Sequence, residues 1–246
     1  QELLLVTLGS FVAHWLFFWI SSITAPWYTS AYARLSKDKR ANWDSRVVSC
    51  IHAIYVSYGY FIVLVFDEEM KQNPINGYTA DGLFYMAITL GYLMYDLNLI
   101  LWKKGSIYDP ATIIHHVGGI ASFLLVLFAQ KAIIYGVFVG FTEFTTPFIN
   151  LRWFLAESGH RNSSIYMING LFIWLSFLTV RVCWNAYMCL HIFLHWDEFS
   201  LFSFGYWYKY VGCFFISVAI CLNSYWFYLI TKGMVKVLFG GKSKNK

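Results

Sequence analysis

Charge is scarce along this chain. Of its 246 residues only 13% are charged, against roughly a quarter in a soluble globular domain, while 59% are hydrophobic and 21% aromatic. A water-soluble fold is excluded by that balance, and the mean hydropathy of +0.54 points the same way. Linkers are lacking too. No Gly/Ser-rich or low-complexity stretch separates the apolar runs, so no soluble catalytic module is attached and any function resides in the membrane or at its rims. The five cysteines all fall within apolar runs without a CxxC pair, which argues against a disulfide framework and a thiolate zinc site. No HExxH spacing and no nucleic-acid-binding motif occurs. No internal repeat is evident, which disfavours inverted-repeat transporter folds.

What is present is a series of seven apolar runs, at about 2–21, 44–66, 82–102, 111–130, 132–155, 165–189 and 206–232. Each approaches the roughly 20 residues that cross a bilayer as a helix. A transmembrane barrel would instead need strands of about 10 residues with period-two alternation. The predicted fold is therefore all-α, a polytopic bundle of about seven transmembrane helices. Its expected organisation is a first helix with a basic loop (1–41), a main membrane domain (42–235) and a basic tail (236–246).

Positive charge alternates between connections. Arg34, Lys37, Lys39 and Arg40 fall in the first, Lys103 and Lys104 in the third, Arg152 and Arg161 in the fifth, and Lys232, Lys236, Lys242, Lys244 and Lys246 at the C-terminus. The intervening connections hold one lysine each beside acidic residues, so the positive-inside rule places the odd loops and the C-terminus in the cytoplasm. The net charge of +5 thus gathers on one face, where anionic lipid rather than nucleic acid is the expected partner. The ending KSKNK resembles a cytosolic dilysine signal for the endoplasmic reticulum, and the chain begins at Gln1 rather than Met, which leaves room for a preceding segment.

Polar residues inside the runs are costly in lipid, and therefore are functional candidates. Ser45, Ser49 and His52 in the second run, Tyr85, Thr89, Tyr92 and Asp96 in the third, and Thr112, His115, His116 and Ser122 in the fourth recur at helical spacing. At 1.5 Å per residue, His52 lies about 12 Å from the cytoplasmic end of its helix, Asp96 about 9 Å and the His pair about 6 to 8 Å. These four groups are expected to share one cavity, with Asp96 orienting one imidazole as a base or nucleophile requires. A deeper layer is expected from Gly136, Gly140, Glu143, Pro147 and Asn150 on the fifth run and Arg181 and Asn185 on the sixth. There Glu143 and Arg181 should pair, Gly136 and Gly140 should admit a close neighbour, and Pro147 should kink the helix and free the carbonyl of Glu143.

The segments NWDSRVVSCIHA (42–53), GYLMYDLNLI (91–100), IIHHVGG (113–119) and TEFTTPFINLRWF (142–154) together resemble the TLC-domain family, most closely its TLC-domain-containing protein 4 branch. The resemblance runs from about residue 42 to 235. In the related ceramide synthases a His pair at a helix start is implicated in moving an acyl group from acyl-CoA to a sphingoid base, and that pair maps onto His115 and His116. This chain departs from the synthases on the next helix. It carries Thr142, Glu143 and Phe144 where they show His-Asp and a further Asp, which points away from ceramide synthesis while leaving a His-assisted reaction open.

The resemblance implies a membrane protein that binds or handles lipids and contributes to membrane lipid homeostasis. His115, His116 and Asp96 are the candidate catalytic residues. His52, Arg46, Ser49, Tyr92, Glu143, Asn150 and Arg181 are the candidate substrate-binding residues, with no bound metal or cofactor. The alternatives are an acyltransferase with acyl-CoA as co-substrate, its CoA phosphates met by Arg46 or Lys103, and a non-catalytic subunit that binds other membrane proteins. A metallohydrolase built on three His and Asp96 is a further reading.

Overall fold

The computed structural model describes residues 1–103, 105–201 and 207–239. Lys104 and the tail 240–246, with its dilysine-like ending, lie outside them. Eleven α-helices run in chain order: α1 (Glu2–Tyr28), α2 (Ser30–Arg34), α3 (Lys37–Phe66), α4 (Glu68–Gln72), α5 (Ala80–Lys103), α6 (Pro110–Ala129), α7 (Ile133–Phe141), α8 (Thr146–Glu157), α9 (Ser164–Ser176), α10 (Trp184–Leu194) and α11 (Trp207–Phe239). Among the described residues six helical stretches are long and apolar enough to cross a membrane: α1, α3, α5, α6, α11 and the continuous α9–α10 unit Ser164–Leu194. The remaining apolar run is α7 and α8, which a 3₁₀ turn at Thr142–Thr145 divides. This is the all-α polytopic bundle that the apolar runs predict.

Pro147 explains the division. It sits in the first turn of α8, where a missing N–H costs nothing. The carbonyl of Glu143 is not freed as expected, because the Thr146 N–H bonds it in 3₁₀ fashion. Side-chain caps begin α2, α3, α4, α6 and α9; at the head of α6, Asp109 accepts from the Thr112 N–H at 3.0 Å and its hydroxyl at 2.6 Å, with Pro110 behind it.

Helix α5 is the central element. Two thirds (67%) of its most apolar window is buried within the protein, against 6% for α11, which packs at the periphery of the bundle. Leu83, Met86, Tyr95 and Leu99 of α5 are fully enclosed with Val48, Val56 and Tyr60 of α3 and Ile133 and Val137 of α7. Small residues permit this packing. A Cβ on Gly136 would lie 2.6 Å from Met86 Sδ, and one on Gly140 would enter the Tyr60 ring. The two glycines thus admit side chains from two helices, α5 and α3.

Helix α1 docks along α5 and α3, and a buried carboxylate secures its far end. Asp44 of α3 accepts from Ser21 at 2.7 Å and from the Tyr32 hydroxyl at 2.8 Å. Burial first, and then the Asp44 bond, push the Tyr32 phenol well above the ordinary tyrosine range, so it remains a donor. Asp44→Ala strands both hydroxyls, and thermal unfolding in detergent is expected to register a loss on the order of 3 kcal/mol. An unchanged transition would show that this junction contributes nothing.

Candidate functional site

One face each of α3, α5, α6, α8 and α11, together with the α7–α8 break and the segment after α9, encloses a polar chamber of about 570 Å³ at the end where the basic residues of α3 and α8 gather. Its first wall is built from the helical spacings already noted. Asp96 of α5 accepts from Ser45 of α3 at 3.1 Å, and its other oxygen lies 2.9 Å from His116 Nε2 of α6. The ring nitrogen is not aimed straight at that oxygen, so the contact is a close polar one rather than an aligned hydrogen bond. His116 Nδ1 meets the Thr112 carbonyl at 2.8 Å. A carbonyl only accepts, so Nδ1 carries a proton. The Nε2 contact then needs one further proton, on the ring as imidazolium or on Asp96 as the acid.

His115 is placed differently. Its ring packs edge-on against His116 and Trp226, with centroids 5.5 and 5.4 Å away, and among the described residues no group hydrogen-bonds it. It is half-buried and borders the chamber, and it also borders a second, apolar pocket enclosed by α6, α7, α10 and α11. His115 is therefore the imidazole open to a ligand, whereas His116 is clamped on both nitrogens.

The second wall holds Arg46, Glu143, Asn150 and Arg181, so the two layers expected from the sequence line one chamber. Arg46 donates to Asn42 and to Asn150, each at 2.8 Å, and its guanidinium lies 4.9 Å from the centre of the Trp153 ring. Arg181 donates to Thr145 at 2.8 Å and to Asn223 at 3.1 Å. Glu143 accepts from the Thr146 hydroxyl at 2.8 Å. The expected Glu143–Arg181 ion pair is not formed. The reason is local: Arg181 sits on a π-helical segment, Phe177–Cys183, whose wider turn rotates the side chain away from the face that α-helical spacing assigns it.

Ser49 and Tyr92 line the chamber, but His52 does not. Its ring stacks on Tyr92 at 3.9 Å with planes 13° apart, so the tyrosine stands between it and the cavity. His52 is 2% exposed and neither nitrogen has a hydrogen-bond partner. Placing His52 among the substrate-binding residues is corrected accordingly: Ser45 and Ser49 of the same stripe line the chamber, whereas the Tyr92 ring stands against His52. The three-histidine set of a zinc site is dismantled by the same fact, and among the described residues no three His, Cys, Asp or Glu side chains gather at metal-binding distance.

Several participants escaped the sequence reading. His14 of α1 lies 5.2 Å from the His52 ring and 5.2 Å from Tyr92. The signal was available, since Thr7, Ser10, His14 and Ser21 recur at helical spacing and are the buried polar residues of α1. Asn42, Thr145 and Asn223, which hold the arginines, carried no signal because amides and hydroxyls are common in helices.

A family model described as the TLC domain matches residues 42–232. TLC domain-containing protein 4 of Xenopus tropicalis is 33% identical over 237 residues, covering 95% of this chain and 91% of that protein. The human TLC domain-containing protein 4 is 29% identical over 90% of this chain and 83% of its own length, and TLC domain-containing protein 4 A of Dictyostelium discoideum is 26% identical over 94% and 88%. No solved structure matches the chain. The helices that carry the His116–Asp96 wall and the arginine wall fall within the matched span, and the chain belongs to the TLC domain family.

Proposed function

We propose that this membrane protein binds a lipid in the polar chamber and contributes to membrane lipid homeostasis, in the endoplasmic reticulum with its basic end and C-terminus facing the cytoplasm. The observation that carries the reading is the arrangement of the His pair. His116 is held by Asp96 and Thr112, and it in turn supports His115, the imidazole that borders the cavity with no hydrogen-bond partner among the described residues, where polar and apolar surfaces meet. Headgroup-sized polar volume next to apolar walls suits an amphipath.

A second reading, an acyl-CoA-dependent acyltransferase, is favoured by the same exposed ring. His115 would take the proton from an acceptor hydroxyl or amine as that atom attacks the thioester carbonyl; the C–S bond breaks and the thiolate of CoA leaves, to be protonated in turn. Arg46, which lines the chamber, would meet the CoA phosphates, with Lys103 at the end of α5 as a second cation.

Comparative lipidomics of cells carrying wild type or His115→Gln tests the first reading. A change confined to one lipid class is the expected result; identical lipidomes would overturn it. Consumption of acyl-CoA by purified protein with a lysolipid or amine acceptor is expected only under the second reading.

A further inference from the structure

The charges that border the chamber fall into two groups. Asp96 is matched by His116, Asp109 caps α6 at an exposed position, and Arg152 donates to the Tyr166 carbonyl at 3.2 Å with its guanidinium 4.0 Å from the centre of the Tyr166 ring. His115 is uncommitted. That leaves Arg46, Arg181 and Glu143, each bonded only to neutral amides or hydroxyls. Arg181 is 5% exposed and Glu143 acts on it only through space, without an ion-pair contact, and a buried guanidinium held that way is costly unless a ligand completes it. Three cations, Arg46, Arg152 and Arg181, and one carboxylate, Glu143, thus face the same cavity without a direct ion pair among them, and Arg152 is the one that its aromatic neighbour occupies.

A second space bears on what fills it. An apolar groove of about 560 Å³ lies between α9 and α11 and shares Arg152, Ile173, Leu229 and Ile230 with the chamber. Its outer lip includes Met167, Ile168 and Leu171, which face the bilayer at 46%, 55% and 53% exposure. The polar chamber and the hydrocarbon around the protein are thus continuous along one groove.

We infer that the chamber takes a zwitterionic phospholipid or lysophospholipid headgroup, with the phosphate between Arg46 and Arg181, the amine at Glu143 and an acyl chain leaving through the α9–α11 groove. Guanidinium and phosphate match in geometry, and the carboxylate supplies the opposite sign that a purely anionic ligand would leave unpaired. A fatty acid or a sphingoid base would leave one of the two signs unmatched, and a neutral diacylglycerol both. The inference rests on the proposed lipid-binding role and names the ligand class for it.

The test is native mass spectrometry of the full chain purified in detergent and incubated with lysophosphatidylcholine, lysophosphatidic acid, sphingosine or monoacylglycerol. Retention of lysophosphatidylcholine about tenfold above monoacylglycerol is expected, as befits charge-assisted bonds. Glu143→Gln should shift preference towards lysophosphatidic acid. Arg181→Gln should weaken both phosphate-bearing lipids, and Arg181→Lys should restore them in part, which separates charge from folding. A Cβ at Gly233, in the groove, meets nothing within 4 Å, so Gly233→Trp should fill the groove and slow uptake without lowering the thermal transition. Competition by glycerophosphocholine, and not by inorganic phosphate, assigns the site to the headgroup.

Equal retention of monoacylglycerol, preference for sphingosine, indifference of Glu143→Gln, displacement by inorganic phosphate, or unimpeded uptake by Gly233→Trp would each overturn the inference while a lipid-binding role stands. Retention of no lipid would remove that role as well.

Discussion

His115→Gln is expected to leave the fold intact and cells indistinguishable from those lacking the protein in the affected lipid class, whereas Asp96→Ala is expected to lose both fold stability and function. The contrast follows from how each side chain is held. His115 makes ring contacts with His116 and Trp226 but no hydrogen bond, so glutamine removes the imidazole and strands nothing. If the ring transfers a proton, turnover should fall by about 100-fold or more. Asp96 serves Ser45 and His116, and deleting it leaves a buried hydroxyl and a buried imidazole unmatched, at a cost of about 3 to 5 kcal/mol. Lipidomics beside thermal unfolding in detergent reads both arms. Wild-type lipids with His115→Gln, or undiminished stability with Asp96→Ala, would show that the chamber wall is organised otherwise.

A stability effect of comparable size is expected at Gly91. A Cβ there would enter the backbone of α1 at Thr7 and lie 2.6 Å from Ser10 Cβ, and neither atom is the end of a flexible side chain that could swing aside. Ser10 also donates to the Ile88 carbonyl at 2.7 Å, a bond that depends on the same close approach of α1 and α5. Gly91→Val must therefore push the two helices apart, at a cost of about 3 kcal/mol or more. Gly118 is the control, because a Cβ there meets nothing within 4 Å. Gly118→Ala should be neutral or stabilising by up to about 1 kcal/mol through helix propensity. Thermal unfolding and protease resistance decide it; equal transitions for the two variants would contradict the packing described.

The bundle and half of the site were legible because a helix places residues by arithmetic. Tyr92 and Asp96 on one helix, and Thr112 and His116 on the next, share faces at intervals of four residues, and lipid penalises a polar group that faces outward, so Ser45, Asp96 and His116 could be read as inward and level. That arithmetic failed where the helix changed pitch. The π-helical turn at Phe177–Cys183 redirects Arg181 from Glu143 to Thr145 and Asn223, and no spacing rule in the sequence announces such a turn. It failed again at His52, where helical depth said nothing about which ring would stand in front. His14 is a different case, because Thr7, Ser10, His14 and Ser21 form a polar stripe at helical spacing on α1, outside the segments that resemble the family.

Residue content and order alone determined that this protein lives in a bilayer, how many times its apolar runs recur, that Pro147 interrupts one of them, and that the His pair faces inward. These follow from local chemistry: transfer of side chains to lipid, a missing N–H, and a period of 3.6. Tertiary packing decided which imidazole is clamped and which is open, that Tyr92 walls off His52, and that two arginines and Glu143 meet one chamber without neutralising each other. Those outcomes depend on the rotation and separation of helices distant in the chain, quantities set by side-chain volumes at many contacts at once.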